Sequence, residues 1–299
     1  MTRLRATSIG FCAVLLWALL ALLTVRTAPV PPLLLNALTF GIAAGVGLVW
    51  GAATGTLGEL RRVPAGVHAF GIAGLFGYHL LYFSALRLAP AAEAGLIAYL
   101  WPLFIVLGSG LLPGERLRRG HLVGGALAFA GAALIVLGRG GGGGPAPNPV
   151  LGFVLAFGCA VTWAAYSVIS RRLGQWPTVA VTVYCAGTAA LSVLAHLLIE
   201  ETVWPASASG WVAVVALGLG PVGLAFFLWD IGVKRGDIQL LGVASYAAPL
   251  LSTLALVAGG EAEATWGLGL AALLIAGGAA LAALPGSRAP EGTRKAAGS

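Results

Sequence analysis

Ten apolar stretches, each long enough to cross a hydrocarbon core of about 30 Å, alternate with short polar breaks along this chain and predict ten membrane-spanning helices. They fall at residues 8–25, 31–50, 67–87, 91–112, 121–138, 150–170, 178–199, 211–232, 238–258 and 265–284. The breaks carry residues that end helices: Pro29, Pro31 and Pro32; Glu59 to Pro64; Ala89 and Pro90; Pro113 to Gly120; Arg171 to Pro177; Glu200 to Pro205; Lys234 to Asp237. A linker-like stretch, GRGGGGGPAPNP, runs from Gly138 to Pro149, and the tail from Pro285 is polar. The expected organisation is a first five-helix unit at 1–138, a Gly/Pro-rich linker at 139–149, a second unit at 150–284 and a disordered tail at 285–299.

Composition fits lipid as the solvent. The chain is 59% hydrophobic and 9% charged, with a mean hydropathy of +0.95, whereas a soluble chain carries roughly 25% charge. The net charge of +7 does not imply nucleic acid, because the basic residues sit in short groups between apolar runs, where a membrane protein meets anionic headgroups. The N-terminal run resembles a signal peptide, yet it continues to Val25 without a small-x-small cleavage site and reads as the first span. Cys12, Cys159 and Cys185 lie inside apolar stretches and read as packing residues. Fourteen Lys and Arg residues fall on the side of the N-terminus and three on the other, which predicts both termini in the cytoplasm.

The halves also resemble each other. An offset of 146 sets Trp17 on Trp163 and Arg26 on Arg172; an offset of 147 sets Arg87 on Lys234, Tyr99 on Tyr246 and Pro102 on Pro249. One slipped residue in a loop reconciles the two. Five is odd, so the second unit enters the membrane with opposite polarity, and the loop charges follow: Arg61 and Arg62 correspond to Glu200 and Glu201, and the Arg116 to Arg119 loop to one with Glu261 and Glu263. The expected fold is all-α, ten helices as two inverted repeats, the ground plan of secondary transporters with substrate near the midplane.

Candidate chemistry is aromatic. Trp50, Trp176, Trp204, Trp211, Trp229 and Trp266 lie near span ends and read as an interfacial belt, whereas Trp17, Trp101 and Trp163 lie mid-span, where core packing or a shared cavity accounts for them. In GYHLLYF, Tyr78 and Tyr82 share a helical face and His79 lies about 100° around from Tyr78. A mid-span histidine marks a functional site or a neutral ring bonded to a carbonyl, and His79 is the candidate for proton coupling. Pro102, three residues after Tyr99, frees a backbone carbonyl in mid-span, as does Pro249 after Tyr246; with Gly220 and Pro221 these are candidate hinges or close-packing points. Asp230 and Lys234, four apart, read as an interfacial pair, Arg87 and Glu93 as flanking an outer turn, and Glu115 as solvated. No serine has an evident His and carboxylate partner, no metal-ligand spacing occurs, and no GxxxxGK[ST] loop is present, so neither an enzyme, a cofactor, a metal nor ATP hydrolysis is expected.

The run ALRLAPAAEAGLIAYLWPLFIVLGSGLLPGERLRRGHLVGGALAFAGAALIVL, from Ala85 to Leu137, resembles the EamA-type repeat of the drug/metabolite transporter superfamily, and a weaker copy follows Lys234. Within that superfamily YHLLYFSALRLAP, AEAGLIAYLWP and the paired Trp17 and Trp163 look like the aromatic amino acid exporter branch. The resemblance implies a central cavity lined by Tyr78, His79, Tyr82, Tyr99, Trp101 and Trp163, and outward movement of aromatic and other amino acids, or of cationic drugs, across a bacterial inner membrane. Trp17 and Tyr246 join the expected lining through their repeat positions. A proton-coupled exporter of organic cations and a non-transporting scaffold are the alternatives. A ten-span unit suits a monomer or a dimer.

Overall fold

The computed structural model describes residues 1–138, 146–258 and 265–284; Glu261, Glu263, most of the expected linker and the tail from Pro285 lie outside the described residues. Among the described residues the chain is helical and contains no strand. The helices are α1 (Arg3–Trp17), α2 (Leu20–Arg26), α3 (Pro32–Ala53), α4 (Ala65–Leu88), α5 (Ala91–Ala98), α6 (Trp101–Ser109), α7 (Arg119–Gly138), α8 (Pro149–Arg172), α9 (Val181–Ile199), α10 (Ala208–Leu219), α11 (Ala225–Arg235), α12 (Ile238–Ala244), α13 (Ala247–Ala258) and α14 (Trp266–Ala283). Among the described residues eight segments are long and apolar enough to cross a membrane, α1 with α2 and α10 with α11 each counting as one, and two shorter apolar segments, Glu93–Ser109 and Ile238–Leu254, accompany them. This is a multi-pass membrane protein. Large apolar side chains face outward, Leu198 at 82% and Trp266 at 97% exposure, as lipid-facing residues do.

Local sequence explains the starts and breaks. Pro32 opens α3 and Pro149 opens α8, at positions where the missing N–H costs nothing. Asn148, Ser207, Asp237 and Thr265 each accept a backbone N–H at a helix start. The fourth segment breaks at Tyr99 and Leu100, just before Pro102, and the ninth at Ser245 and Tyr246, just before Pro249. In the eighth segment a π turn, Gly220–Leu224, joins α10 to α11. The first segment also breaks, at Ala18 and Leu19, where no proline or glycine announces it.

The most extensive packing pairs α7 with α14, α3 with α9, α4 with α8 and α1 with α11. Small residues make these approaches possible. A Cβ on Gly10 would stand 2.8 Å from the Cα of Gly232, and Gly124 and Gly278 meet backbone to backbone between α7 and α14. Leucine at Gly124 is expected to push α7 from α14 and lower the thermal midpoint sharply, whereas leucine at Gly277, whose Cβ would meet nothing within 4 Å, is expected to be tolerated. Thermal unfolding in detergent checks the contrast.

Hydrogen bonds show which termini meet. Arg3, Glu115, Arg118, Arg171 and Asp237 gather at one end, here called the basic end. Arg87, Glu200 and the start of α3 gather at the other.

Candidate functional site

Trp163 lies two and a half turns before the end of α8 and is 3% exposed. Its ring meets Trp17 of α1 at 5.8 Å between centroids, Trp101 of α6 at 6.2 Å, Tyr78 of α4 at 5.2 Å, and Phe226 and Trp229 of α11 at 5.7 and 6.2 Å. Tyr166 stacks on it at 5.2 Å. Most of these contacts are edge-on or tilted, the arrangement that the ring quadrupole favours. Trp17 Nε1 donates to the carbonyl of Pro221 at 3.1 Å, so the π turn supplies an acceptor that a regular helix would have used. Trp229 Nε1 donates to Ser167 Oγ at 3.1 Å.

On α4, Tyr78 and Tyr82 stack with ring centroids 6.0 Å apart and planes 3° from parallel. His79 Nδ1 donates to the carbonyl of Leu75 at 2.7 Å, and the ring packs against Phe40, Phe83 and Phe226. Trp17, Tyr78, His79, Tyr82 and Tyr99 are half-buried. Seven of the expected lining residues, all but Tyr246, thus belong to one region, with Tyr99 lying near Tyr78 and Tyr82. Tyr246 is fully buried and packs edge-on against Phe129 in the separate core between α7, α12 and α14. The break before Pro249 turns it there, away from the indoles.

Other residues depart from expectation. Trp229 is not in an interfacial belt: it is 0% exposed, because α11 runs to Arg235 and buries it beneath Trp17 and Trp101. Trp50, Trp204, Trp211 and Trp266 are exposed, and Trp176 is half-buried against the main core. Glu115 is not solvated, its side chain being 6% exposed between Arg3 and Arg171. Asp230 and Lys234 do pair, but in the interior rather than at an interface. Arg87, which with Glu93 flanks the turn at Pro90, reaches across the fold to pair with Glu200. An apolar groove of about 630 Å³, lined by Ile42, Gly45, Val46, Val49, Trp50 and Leu219 among others, shares no residue with the aromatic cluster. Among the described residues no group of His, Cys, Asp and Glu side chains is arranged to hold a metal.

The EamA-like transporter family profile matches this chain twice, over residues 4–137 and 150–284. The chain belongs to the EamA-like transporter family. It is 56% identical over 284 residues to the aromatic amino acid exporter YddG of Ancylobacter novellus, the match covering 95% of this chain and 99% of that one. It is 25% identical to the protein of the same name from Escherichia coli, over 94% of this chain and 97% of that one. A crystal structure with 55% identity superposes with a TM-score of 0.89, covering 94% of this chain and 98% of that chain.

In this EamA-like transporter the two ends differ in their polar chemistry. At the basic end Glu115 accepts from Arg171 at 2.5 Å and Arg3 at 3.0 Å, Arg3 also pairs with Asp237 at 3.3 Å, and Arg171 donates to the carbonyls of Val233 and Gly236. At the other end the Glu200 carboxylate accepts the N–H groups of Leu33 and Leu34, Arg87 Nη2 and His196 Nδ1. It thereby caps α3 where Pro31 and Pro32 cannot. Burial opposes ionisation of Glu200, but the bonds from His196, Leu33, Leu34 and Arg87 outweigh it and hold its pKa below the ordinary 4.5. A depressed carboxylate stabilises the fold in full above its unfolded value and loses that contribution as pH falls through the folded one. The thermal midpoint of the wild type is therefore expected to exceed that of Glu200→Gln at pH 7, with the difference shrinking below about pH 4.5.

Proposed function

We propose that this protein exports aromatic amino acids across the bacterial inner membrane by alternating access, with the substrate held against the indole cluster near the midplane. The carrying observation is the convergence of Trp17, Trp101 and Trp163 from three helices, with half-buried Tyr78, His79, Tyr82 and Tyr99 beside them. Such walls suit an aromatic side chain, and their faces attract an ammonium by about 0.5–2 kcal/mol. Phenolic hydroxyls and the His79 ring orient the zwitterion's charges. The names of the two YddG relatives agree with this reading.

The reading includes two inverted halves, 1–138 and 150–284, with 139–149 as linker and both termini cytoplasmic. Helix pairing supports it. Exchanging each segment for the one five places away turns the α4–α8 pair into α11–α1, and returns α3–α9 and α7–α14 to themselves, so the major packing has two-fold form. The family profile matches once within each half, over 4–137 and 150–284, which supports this division. Pro102, Gly220, Pro221 and Pro249 stand at the breaks and serve as hinges, and the basic end is the cytoplasmic one.

Counterflow of radiolabelled phenylalanine into proteoliposomes, with and without a pH gradient, tests the assignment. Flux that follows the amino acid gradient supports it. No amino acid flux from folded protein overturns it and favours organic cations, to be assayed in the same vesicles. His79→Ala is expected to lower flux at least threefold, and it removes any acceleration by the pH gradient if His79 is the coupling group.

A further inference from the structure

Toward the basic end of the aromatic cluster, polar atoms are buried without partners. Among the described residues His68 Nδ1, Thr182 Oγ1 and both Asp230 carboxylate oxygens are buried and make no hydrogen bond, Oδ1 having its ion pair with Lys234 and Oδ2 no partner at all. Asp230 is 1% exposed and lies near Tyr166 of α8 and Tyr184 of α9. His68 of α4 faces Tyr184 with ring centroids 6.0 Å apart. The cation set against Asp230 is Lys234, whose Nζ is 2.9 Å from Oδ1, whose side chain is 4% exposed, and which also donates to the carbonyl of Trp176 at 3.1 Å. A sealed ion pair contributes little stability over an apolar pair of the same volume, and an ionisable residue at depth in a membrane protein marks function by default.

Position supplies the second argument. Asp230 follows Phe226 by four residues on α11, one turn nearer the basic end and on nearly the same face. Phe226 packs against Trp17, His79 and Trp163. Tyr166, which stacks on Trp163, also borders Asp230. A solute moving between the indoles and the basic end along this face of α11 meets the carboxylate one turn away from the rings.

We propose that Asp230 is a second subsite, binding the α-ammonium of an amino acid on the cytoplasmic side of the aromatic cluster, and that Lys234 fills it in this conformation as a tethered substitute. The inference rests on the amino acid export reading above. A lysine head and an α-ammonium are the same chemical group, a compact cation with three donors. When the basic end opens, the entering zwitterion displaces Lys234 from Oδ1 and adds a donor to Oδ2, while its ring travels toward Phe226 and Trp163. Lys234 keeps its bond to the Trp176 carbonyl.

The test measures phenylalanine entry from the face bearing Arg3, in proteoliposomes of wild type, Asp230→Asn/Lys234→Met and Lys234→Met. Competition is read with phenethylamine, which has the ammonium without the carboxylate, and with 3-phenyllactate, which has a hydroxyl in its place. The double variant leaves neither charge unpaired, so it is expected to fold. Its KM for phenylalanine is expected to rise at least tenfold, with competition by phenethylamine lost and that by phenyllactate unchanged. Lys234→Met alone is expected to lower the KM, since the carboxylate is no longer occupied. A wild-type KM in either folded variant, or phenyllactate competing as well as phenethylamine in the wild type, overturns the proposal. Absence of phenylalanine flux in the wild type overturns the export reading, and this subsite with it.

Discussion

Alanine at Trp163 is expected to lower phenylalanine transport at least tenfold and to cost about 3–5 kcal/mol of folding stability. No other indole here reaches so many partners: Trp163 touches rings from α1, α4, α6 and α11 and stacks on Tyr166 of its own helix. Truncation opens a void that these rings cannot close without leaving their neighbours, because Trp17 is tied to Pro221 and Trp229 to Ser167. Phenylalanine at the same position refills part of the void and is expected to recover stability more fully than transport, since a smaller face remains for substrate. Trp266→Ala serves as the control: that ring is 97% exposed, and its loss is expected to change stability by less than about 0.5 kcal/mol. Thermal unfolding and initial flux, measured on the same preparations, separate the two effects.

The second large effect is expected at Glu115. Glutamine there removes the charge that two arginines share, and loss of one partner from a buried ion pair costs about 3–5 kcal/mol. The Arg171 arm carries most of it, because Arg171 is 18% exposed and Arg3 51%, where solvent screens the pair. Glu115 and Arg3 come from the first half of the chain and Arg171 and Asp237 from the second, so the variant also frees the two halves at the basic end. Gln239 reports this opening: it is 2% exposed and donates to the Arg116 carbonyl beside the cluster. In a Cys12→Ala background, a thiol introduced as Gln239→Cys is expected to react with a water-soluble maleimide at least fivefold faster when Glu115 is glutamine. Equal rates would exclude a closing role for the cluster.

Sequence carried the apolar segments and most members of the aromatic cluster because both depend on local pattern. A run of about twenty apolar residues has one physical solution in lipid, and Tyr78, His79 and Tyr82 share a neighbourhood through helical geometry alone. The breaks before Pro102 and Pro249 were legible for the same reason. What escaped depends on distance in sequence. Glu115 read as solvated because its neighbour in the chain is Arg116, whereas its partners stand 112 and 56 residues away. Trp229 read as a belt residue because the apolar run ends at Ile231 and Gly232, but the helix continues through Lys234 and Arg235, whose charges are satisfied by Asp230 and the protein surface. The extra turn draws Trp229 inward. The break at Ala18 has no local signal, and the bond from Trp17 to Pro221, 204 residues away, is the tertiary feature beside it.

The π turn at Gly220–Leu224 bears on how such a gene changes. A π turn holds one more residue than an α turn, so a three-base insertion can be taken up inside a helix without an adjoining loop. The faces on either side then keep their neighbours, Leu217 and Gly218 before the turn and Phe226 and Trp229 after it.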